Sequence, residues 1–220
     1  MTERYIPALS YRWLTPLYDP LVAWTTRERA FKSALLEQAR LRVGDRVLDL
    51  ACGTATLTIA AQRAQPGAAI TGLDGDPAIL ARARAKAAQA GLDLRFDEAK
   101  SDRMPYTDGS FDVVLSSLFF HHLNRDAKRA TLREVHRVLR PGSWLHVADW
   151  GRAANPLMRG AFLLVQLLDG FETTADNVAG LLPRFMTDCG FVDVGEARRF
   201  ATPLGTIALY CARKPAQGRP

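Results

Sequence analysis

Between residues 46 and 150, short apolar runs alternate with segments of helical periodicity, and this alternation limits the possible fold more than any other feature. The predicted strands cover residues 46–50, 69–74, 92–96, 111–117 and 144–150. Strands and helices in this order form right-handed crossovers and a parallel sheet. The sequence therefore predicts an α/β fold, a Rossmann-like doubly wound sheet with helices on both faces.

The last third of the chain departs from this alternation. Two helical segments are predicted within residues 151–190, and two apolar runs follow, separated by only a few residues around Pro203. A parallel crossover needs a dozen or more residues, so these runs are expected to pair antiparallel. We expect a single domain over residues 1–213, divided into a helical cap (1–42), a ligand-binding core (43–150), a helical lid (151–190) and a strand pair (191–213), and then a flexible tail (214–220).

Composition excludes several classes of protein. The formal charge of +6 comes from arginines spread along helical segments, which argues against nucleic-acid binding. Cys52, Cys189 and Cys211 lie far apart, without metal-ligand spacing, and favour a reducing compartment. The N-terminus lacks the apolar run of a signal peptide, and residues 161–168 are far shorter than the ~20 residues that span a bilayer. We expect a cytoplasmic protein without a metal and without stable membrane insertion.

The stretch VLDLACGTATLT, residues 47–58, is a buried strand that enters a helix through a turn of small residues. In a doubly wound sheet, ligands bind beyond the carboxyl ends of the strands. Small residues in the turn allow backbone amides to approach such a ligand closely. The next strand ends at Asp74, whose carboxylate can accept hydrogen bonds from both hydroxyls of a ribose. The pattern predicts a nucleoside-containing cofactor.

The turn does not carry the glycine pattern of a dinucleotide site. Gly53 is its one glycine, and Thr56 stands where the third glycine of Gly-x-Gly-x-x-Gly would be. Asp49 also fits poorly beside a pyrophosphate, but a carboxylate suits a ligand with an amino group. S-adenosylmethionine is such a ligand.

Four motifs in order make the chain resemble the class I S-adenosylmethionine-dependent methyltransferases, and most of all the branch of ubiquinone and menaquinone biosynthesis. They are VLDLACGT, TGLDGDPAIL, DRMPYTDGSFDVVLSS and EVHRVLRPGSWLHVAD. The resemblance implies that Ala51, Gly53 and Thr54 hold the methionine part. It places the ribose at Asp74, in a segment that includes Gly75, and the adenine at Lys100 and Ser101. Ser117, at the end of the fourth strand, would close the pocket. Ala55 and Lys100 depart from the family, which usually has a glycine and an acidic or amide residue there.

His121 and His122 follow the fourth predicted strand at the mouth of this site. The resemblance places an Arg-Asn pair at these positions in the quinone-biosynthesis enzymes. Histidine can act as a base near neutral pH, so either residue is a candidate to deprotonate a methyl acceptor. The alternative is that one of them only caps the next helix or bonds the backbone.

The acceptor is expected to be a small hydrophobic or aromatic molecule, quinone-like, phenolic or lipidic, methylated at carbon, oxygen or nitrogen. Apolar residues that could enclose it occur in the N-terminal segment, which also contains Asp19, and after the fifth strand, at Leu157, Met158, Phe162 and Leu163. A homodimer is compatible with the sequence. Two other functions stay open, a non-catalytic methyltransferase-like subunit and a nicotinamide-dependent dehydrogenase.

Overall fold

The computed structural model describes residues 28–216, in which seven helices cover both faces of a seven-stranded sheet. The strands are β1 (Arg46–Leu50), β2 (Ala69–Asp74), β3 (Arg95–Glu98), β4 (Phe111–Ser117), β5 (Leu139–Trp150), β6 (Val192–Thr202) and β7 (Gly205–Arg213). The helices are α1 (Glu28–Ala39), α2 (Thr56–Ala64), α3 (Pro77–Gln89), α4 (Arg125–Val138), α5 (Pro156–Asp169), α6 (Phe171–Val178) and α7 (Leu182–Asp188). A single 3-10 turn, Phe120–His122, lies between β4 and α4.

The strand order β3-β2-β1-β4-β5-β7-β6 is that of a doubly wound sheet, and it confirms the predicted fold class. Strands β1 to β5 pair parallel, whereas β7 lies antiparallel between β5 and β6. The direction of the chain across the sheet reverses between β1 and β4, so a crevice is expected at the carboxyl ends of these two strands.

Two strands and the lid region differ from the prediction. Strand β3 begins at Arg95 and not at residue 92, because the amide of Leu92 still bonds the carbonyl of Ala87 at the end of α3. Strand β5 begins at Leu139, where it pairs with Phe111 of β4. The lid region has three helices where two were predicted. Gly170, with φ 96°, separates α5 from α6 within what reads as one helical segment.

The core consists of a large cluster on each face of the sheet and a smaller one around α3. Leu48 and Leu50 of β1 belong to the cluster that contains Leu132 and Val135 of α4. Val47 points to the opposite face, toward the cluster formed with α1, α2 and α5. Side chains alternate along a strand, so Asp49 lies on the side of α2, at the end of β1. The packing of β1 therefore directs this carboxylate to one edge of the crevice.

The described residues contain no disulfide, and Cys52, Cys189 and Cys211 are free thiols. Among residues 28–216, no helix combines the length and the apolar character required to cross a bilayer.

Candidate active site

The loop after β1 has a left-handed backbone at three alternate residues. The φ angles are 55° at Ala51, 54° at Gly53 and 65° at Ala55. A non-glycine residue in this conformation costs roughly 1–2 kcal/mol, so the two alanines hold a strained turn. The methyl group of Ala55 is fully buried in the cluster around α3, together with Ile59 and Leu80. The alanine that replaces the family's glycine thus keeps the left-handed conformation and packs its side chain in the core.

Asp74 connects this loop with the turn after β2. Its Oδ2 accepts a hydrogen bond from the amide of Gly53 at 3.0 Å, and its Oδ1 accepts one from the amide of Asp76 at 3.0 Å. Burial is the largest influence on this carboxyl group and raises its pKa. A side chain that was predicted to bind a ribose therefore also fixes the conformation of the loop in front of it.

Asp49 is buried in the wall of the crevice, with only 1% of its surface exposed. Its Oδ2 accepts a hydrogen bond from the hydroxyl of Thr58 at 2.7 Å. Burial and, to a smaller extent, the charge of Asp74 raise the pKa of Asp49 to about 6, although the hydrogen bond from Thr58 and the charge of Lys32 act in the opposite direction. Near neutral pH, this is a poorly compensated negative charge at the end of β1.

The other residues assigned to the cofactor lie around the same end of the sheet. Thr54 is in the β1–α2 loop, where its hydroxyl lies 3.4 Å from Lys86 Nζ, and Gly75 is in the turn after β2. The hydroxyl of Ser101 lies 2.8 Å from that of Thr131, on α4. The remaining two are Lys100, which is exposed, and Ser117, which is partly buried as the last residue of β4.

His121 and His122 lie in the 3-10 turn that follows β4. His121 is only 3% exposed, and its Nδ1 is 2.7 Å from Oδ1 of Asp149. The ring of His122 is 3.9 Å from that of His121, centre to centre. Burial, and then the charges of His121 and Lys128, hold the pKa of His122 well below its ordinary value. His122 is therefore neutral at physiological pH.

Asp149 contacts the candidate base His121 and was not among the residues predicted from the sequence. It is fully buried at the carboxyl end of β5, next to the end of β4. A signal was present, because Asp149 is an acidic residue at the end of an apolar strand, as Asp49 and Asp74 are. The resemblance assigned no role to β5, and this similarity was overlooked.

The predicted acceptor-lining residues after β5 divide into two groups. Phe162 is buried against Trp150, with 5.2 Å between the ring centres. Leu157 and Leu163 are 84% and 44% exposed, so they do not line an enclosed pocket within the described part of the chain. Asp19 and the N-terminal aromatic residues lie outside the described residues.

Comparison with known proteins agrees with this geometry. Residues 47–142 match the family described as a methyltransferase domain. A demethylmenaquinone methyltransferase of Thermus thermophilus is 42% identical over 120 residues, which cover 54% of this chain and 52% of that protein. The chain thus resembles the class I S-adenosylmethionine-dependent methyltransferases, with the match to a methyltransferase domain confined to residues 47–142. S-adenosylmethionine is the cofactor that this family implies.

Longer matches extend the likeness beyond the core of this methyltransferase domain. An uncharacterised methyltransferase of Synechocystis is 29% identical over 204 residues, 92% of each chain. The crystal structure of the S-adenosylmethionine-dependent methyltransferase SibL superposes with a TM-score of 0.73 at 25% identity, over 90% of this chain and 58% of that one. The chain spans about half the length of several other curated relatives that it matches, 52–53%.

Among residues 28–216, no group of three or more His, Cys, Asp or Glu side chains is arranged to hold a metal ion.

Proposed function

We propose that this chain binds S-adenosylmethionine at the carboxyl ends of β1 and β2 and transfers its methyl group to a small hydrophobic or aromatic acceptor. The observation that carries the proposal is the pair of carboxylates on the two sides of the left-handed loop 51–55, of which Asp49 is buried and Asp74 is partly buried. Their positions at adjacent strand ends suit one elongated ligand that has an amino group and a ribose.

The side chains around the loop fit this cofactor better than a dinucleotide. Asp49 needs a positive charge to offset its desolvation, and the amino group of the methionine part supplies one. The negative pyrophosphate of a nicotinamide cofactor would instead increase the electrostatic cost at Asp49. Both oxygens of Asp74 already accept one amide each, and a carboxylate oxygen has room for a further hydrogen bond from a ribose hydroxyl.

The chemistry that the bound cofactor supplies is an electrophilic methyl group on a sulfonium. The protein has to align the acceptor and remove its proton where it is not already nucleophilic. We propose that His121 takes this proton. His122 packs against it as a neutral ring, because burial lowers the pKa of His122.

For the acceptor, we propose a ring of quinol or phenol type. Two relatives support this choice by their names, the demethylmenaquinone methyltransferase of Thermus thermophilus and a ubiquinone/menaquinone biosynthesis C-methyltransferase of Bdellovibrio bacteriovorus. The aromatic pair Trp150 and Phe162 next to the crevice is compatible with a flat apolar molecule. We further propose that the protein works in the cytoplasm on a free small molecule.

Isothermal titration calorimetry tests the cofactor first. We expect micromolar binding of S-adenosylmethionine and of its demethylated product, no binding of nicotinamide cofactors, and at least about tenfold weaker binding by Asp49→Asn. Asp93→Asn, an exposed carboxylate away from the crevice, is the matched control. Binding of a nicotinamide cofactor in place of S-adenosylmethionine would refute the proposal.

A screen of phenols, quinols and amines for formation of S-adenosylhomocysteine then tests the reaction. His121→Asn should lose about 10² to 10⁴ in rate with cofactor binding nearly unchanged, because it retains hydrogen bonding but cannot take the proton. Cofactor binding without turnover on any acceptor would favour the non-catalytic subunit. A fully active His121→Asn enzyme would remove His121 from the role of base.

A further inference from the structure

Asp149 has a set of partners that a surface carboxylate would not need. Its side chain has no solvent exposure, and its Oδ1 lies 2.7 Å from His121 Nδ1. Two backbone amides also donate to it, that of Trp150 to Oδ1 at 2.7 Å and that of Phe119 to Oδ2 at 3.2 Å. One carboxylate thus holds together the end of β5, the chain after β4 and one histidine ring.

These contacts determine which nitrogen of His121 carries its proton. A carboxylate that accepts two amide hydrogen bonds is stabilised in its ionised form. An ionised carboxylate can only accept, so the ring nitrogen that faces it must be the donor. His121 is therefore protonated on Nδ1, and in the neutral ring the lone pair is on Nε2.

We propose that Asp149 is a positioning residue, which fixes this tautomer and thereby makes Nε2 of His121 the atom that takes the acceptor's proton. The inference rests on the proposed function and names the residue that sets its base. In the step, the acceptor gives its proton to Nε2 and its electron pair to the new bond with the methyl carbon. The electrons of the broken carbon–sulfur bond remain on sulfur. The imidazolium, stabilised by Asp149, afterwards releases its proton to solvent.

The charged groups around the two histidines indicate which ring carries the positive charge after proton transfer. Lys128 is buried, and its Nζ donates to the carbonyls of Leu123 and Thr173 and lies 3.7 Å from Asp176. The charges of His121 and Lys128 add to the effect of burial in lowering the pKa of His122. A proton taken by this pair of rings is therefore held on His121, next to the carboxylate, and not on His122.

Nitrogen-15 NMR of the histidine rings tests the tautomer without any acceptor or cofactor. We expect the wild type to show a protonated Nδ1 and an unprotonated Nε2 for His121, assigned by comparison with His121→Asn. In Asp149→Asn, an amide nitrogen at the position of Oδ1 donates to Nδ1, and the amide oxygen at the position of Oδ2 still accepts from Phe119, while the amide of Trp150 loses its acceptor. We therefore expect the proton of the neutral ring to move to Nε2 in this variant.

The rate supplies the second readout, with the acceptor that gives turnover in the screen. Asp149→Asn should lose about 10² to 10⁴ in kcat with an unchanged Kd for S-adenosylmethionine, since the wrong tautomer blocks the base. Asp112→Asn is the matched control, because Asp112 also accepts a backbone amide and contacts an arginine, but lies at the opposite end of β4. It should keep both the rate and the tautomer.

Three results would overturn the positioning role. They are an Nε2-protonated His121 in the wild type, an unchanged tautomer in Asp149→Asn, and a folded Asp149→Asn enzyme with full activity. A failure of the proposed function looks different. It appears as an absence of S-adenosylmethionine binding or as full activity of His121→Asn, and neither of these changes the NMR result.

Discussion

The raised pKa of Asp49 predicts that this residue makes cofactor affinity depend on pH. The free protein has this pKa at about 6, because the carboxylate is buried beside Thr58 with Lys32 and Asp74 as its nearest charged influences. A bound amino group within about 4–6 Å lowers the pKa of a carboxyl group by roughly 1–3 units. The bound state therefore holds Asp49 ionised at pH values where the free protein protonates it.

The expected magnitude follows from this difference. Below the pKa of the free protein, each pH unit costs about tenfold in affinity until the pKa of the complex is reached. Between pH 7 and pH 5, the Kd of S-adenosylmethionine should rise by about tenfold, or about 1.4 kcal/mol. In Asp49→Asn, the Kd should be weaker at pH 7 and should vary much less over this range.

The same shift has the opposite consequence for the stability of the free protein. The native state binds the Asp49 proton more tightly than the unfolded chain, in which this carboxyl group has its ordinary pKa of 3.8. Its contribution to the free energy of unfolding is fully present below pH ~4 and is lost as the pH rises through about 6, by about 3 kcal/mol in total. Asp49→Asn should therefore melt at a higher temperature than the wild type at pH 7, although it binds the cofactor less well.

Calorimetry from pH 5 to pH 7.5 measures the affinity, and adenosine is the control ligand because it has no amino-acid part. Its affinity should not depend on Asp49. The other titratable groups, Asp74 among them, are shared by the wild type and Asp49→Asn, so the difference between the two proteins isolates the Asp49 carboxylate. An identical pH dependence in both proteins, or the same dependence for adenosine, would refute the reasoning.

Three further outcomes follow from the loop and the strand beside it. Asp74→Asn should weaken cofactor binding by about 10- to 100-fold in calorimetry. Asp74→Ala should in addition lose about 1–3 kcal/mol of unfolding free energy, because the amides of Gly53 and Asp76 lose their acceptor. Ala55→Gly should change the Kd little and the unfolding free energy by less than about 1 kcal/mol, since relief at positive φ offsets the loss of a buried methyl group. A large loss of affinity there would mean that the methyl group contacts the cofactor. Gly72→Ala should lower the free energy of unfolding, measured by chemical denaturation, by about 1–3 kcal/mol. The added Cβ would lie 2.7 Å from the Phe96 ring and 2.9 Å from Cys52 Sγ. An unchanged free energy of unfolding would contradict this packing.

Sequence periodicity predicted the parallel core well, because each of its strands is a short apolar run between polar turns. Strands β1, β2 and β4 have the predicted bounds. The early start of β5 could not be predicted, because Pro141 and Gly142 are typical of a turn and only the pairing of Leu139 with Phe111 extends the strand through them. The break between the two helices at Gly170 was not predicted. Its flanks are both helical, and a glycine within a helical pattern is often tolerated.

One rule about acidic residues at strand ends predicted part of the candidate site. In a doubly wound sheet, ligands bind beyond the carboxyl ends of the strands, so an acidic residue near such an end is a candidate to bind a ligand, and this rule identified Asp49 and Asp74. Applied to β5, it would also have found Asp149. What the sequence could not supply was the partner, because His121 is 28 residues away and reaches the carboxylate only through the pairing of β4 with β5. The choice between His121 and His122 thus depends on tertiary contacts, which give His121 a carboxylate and pack His122 against the ring of His121.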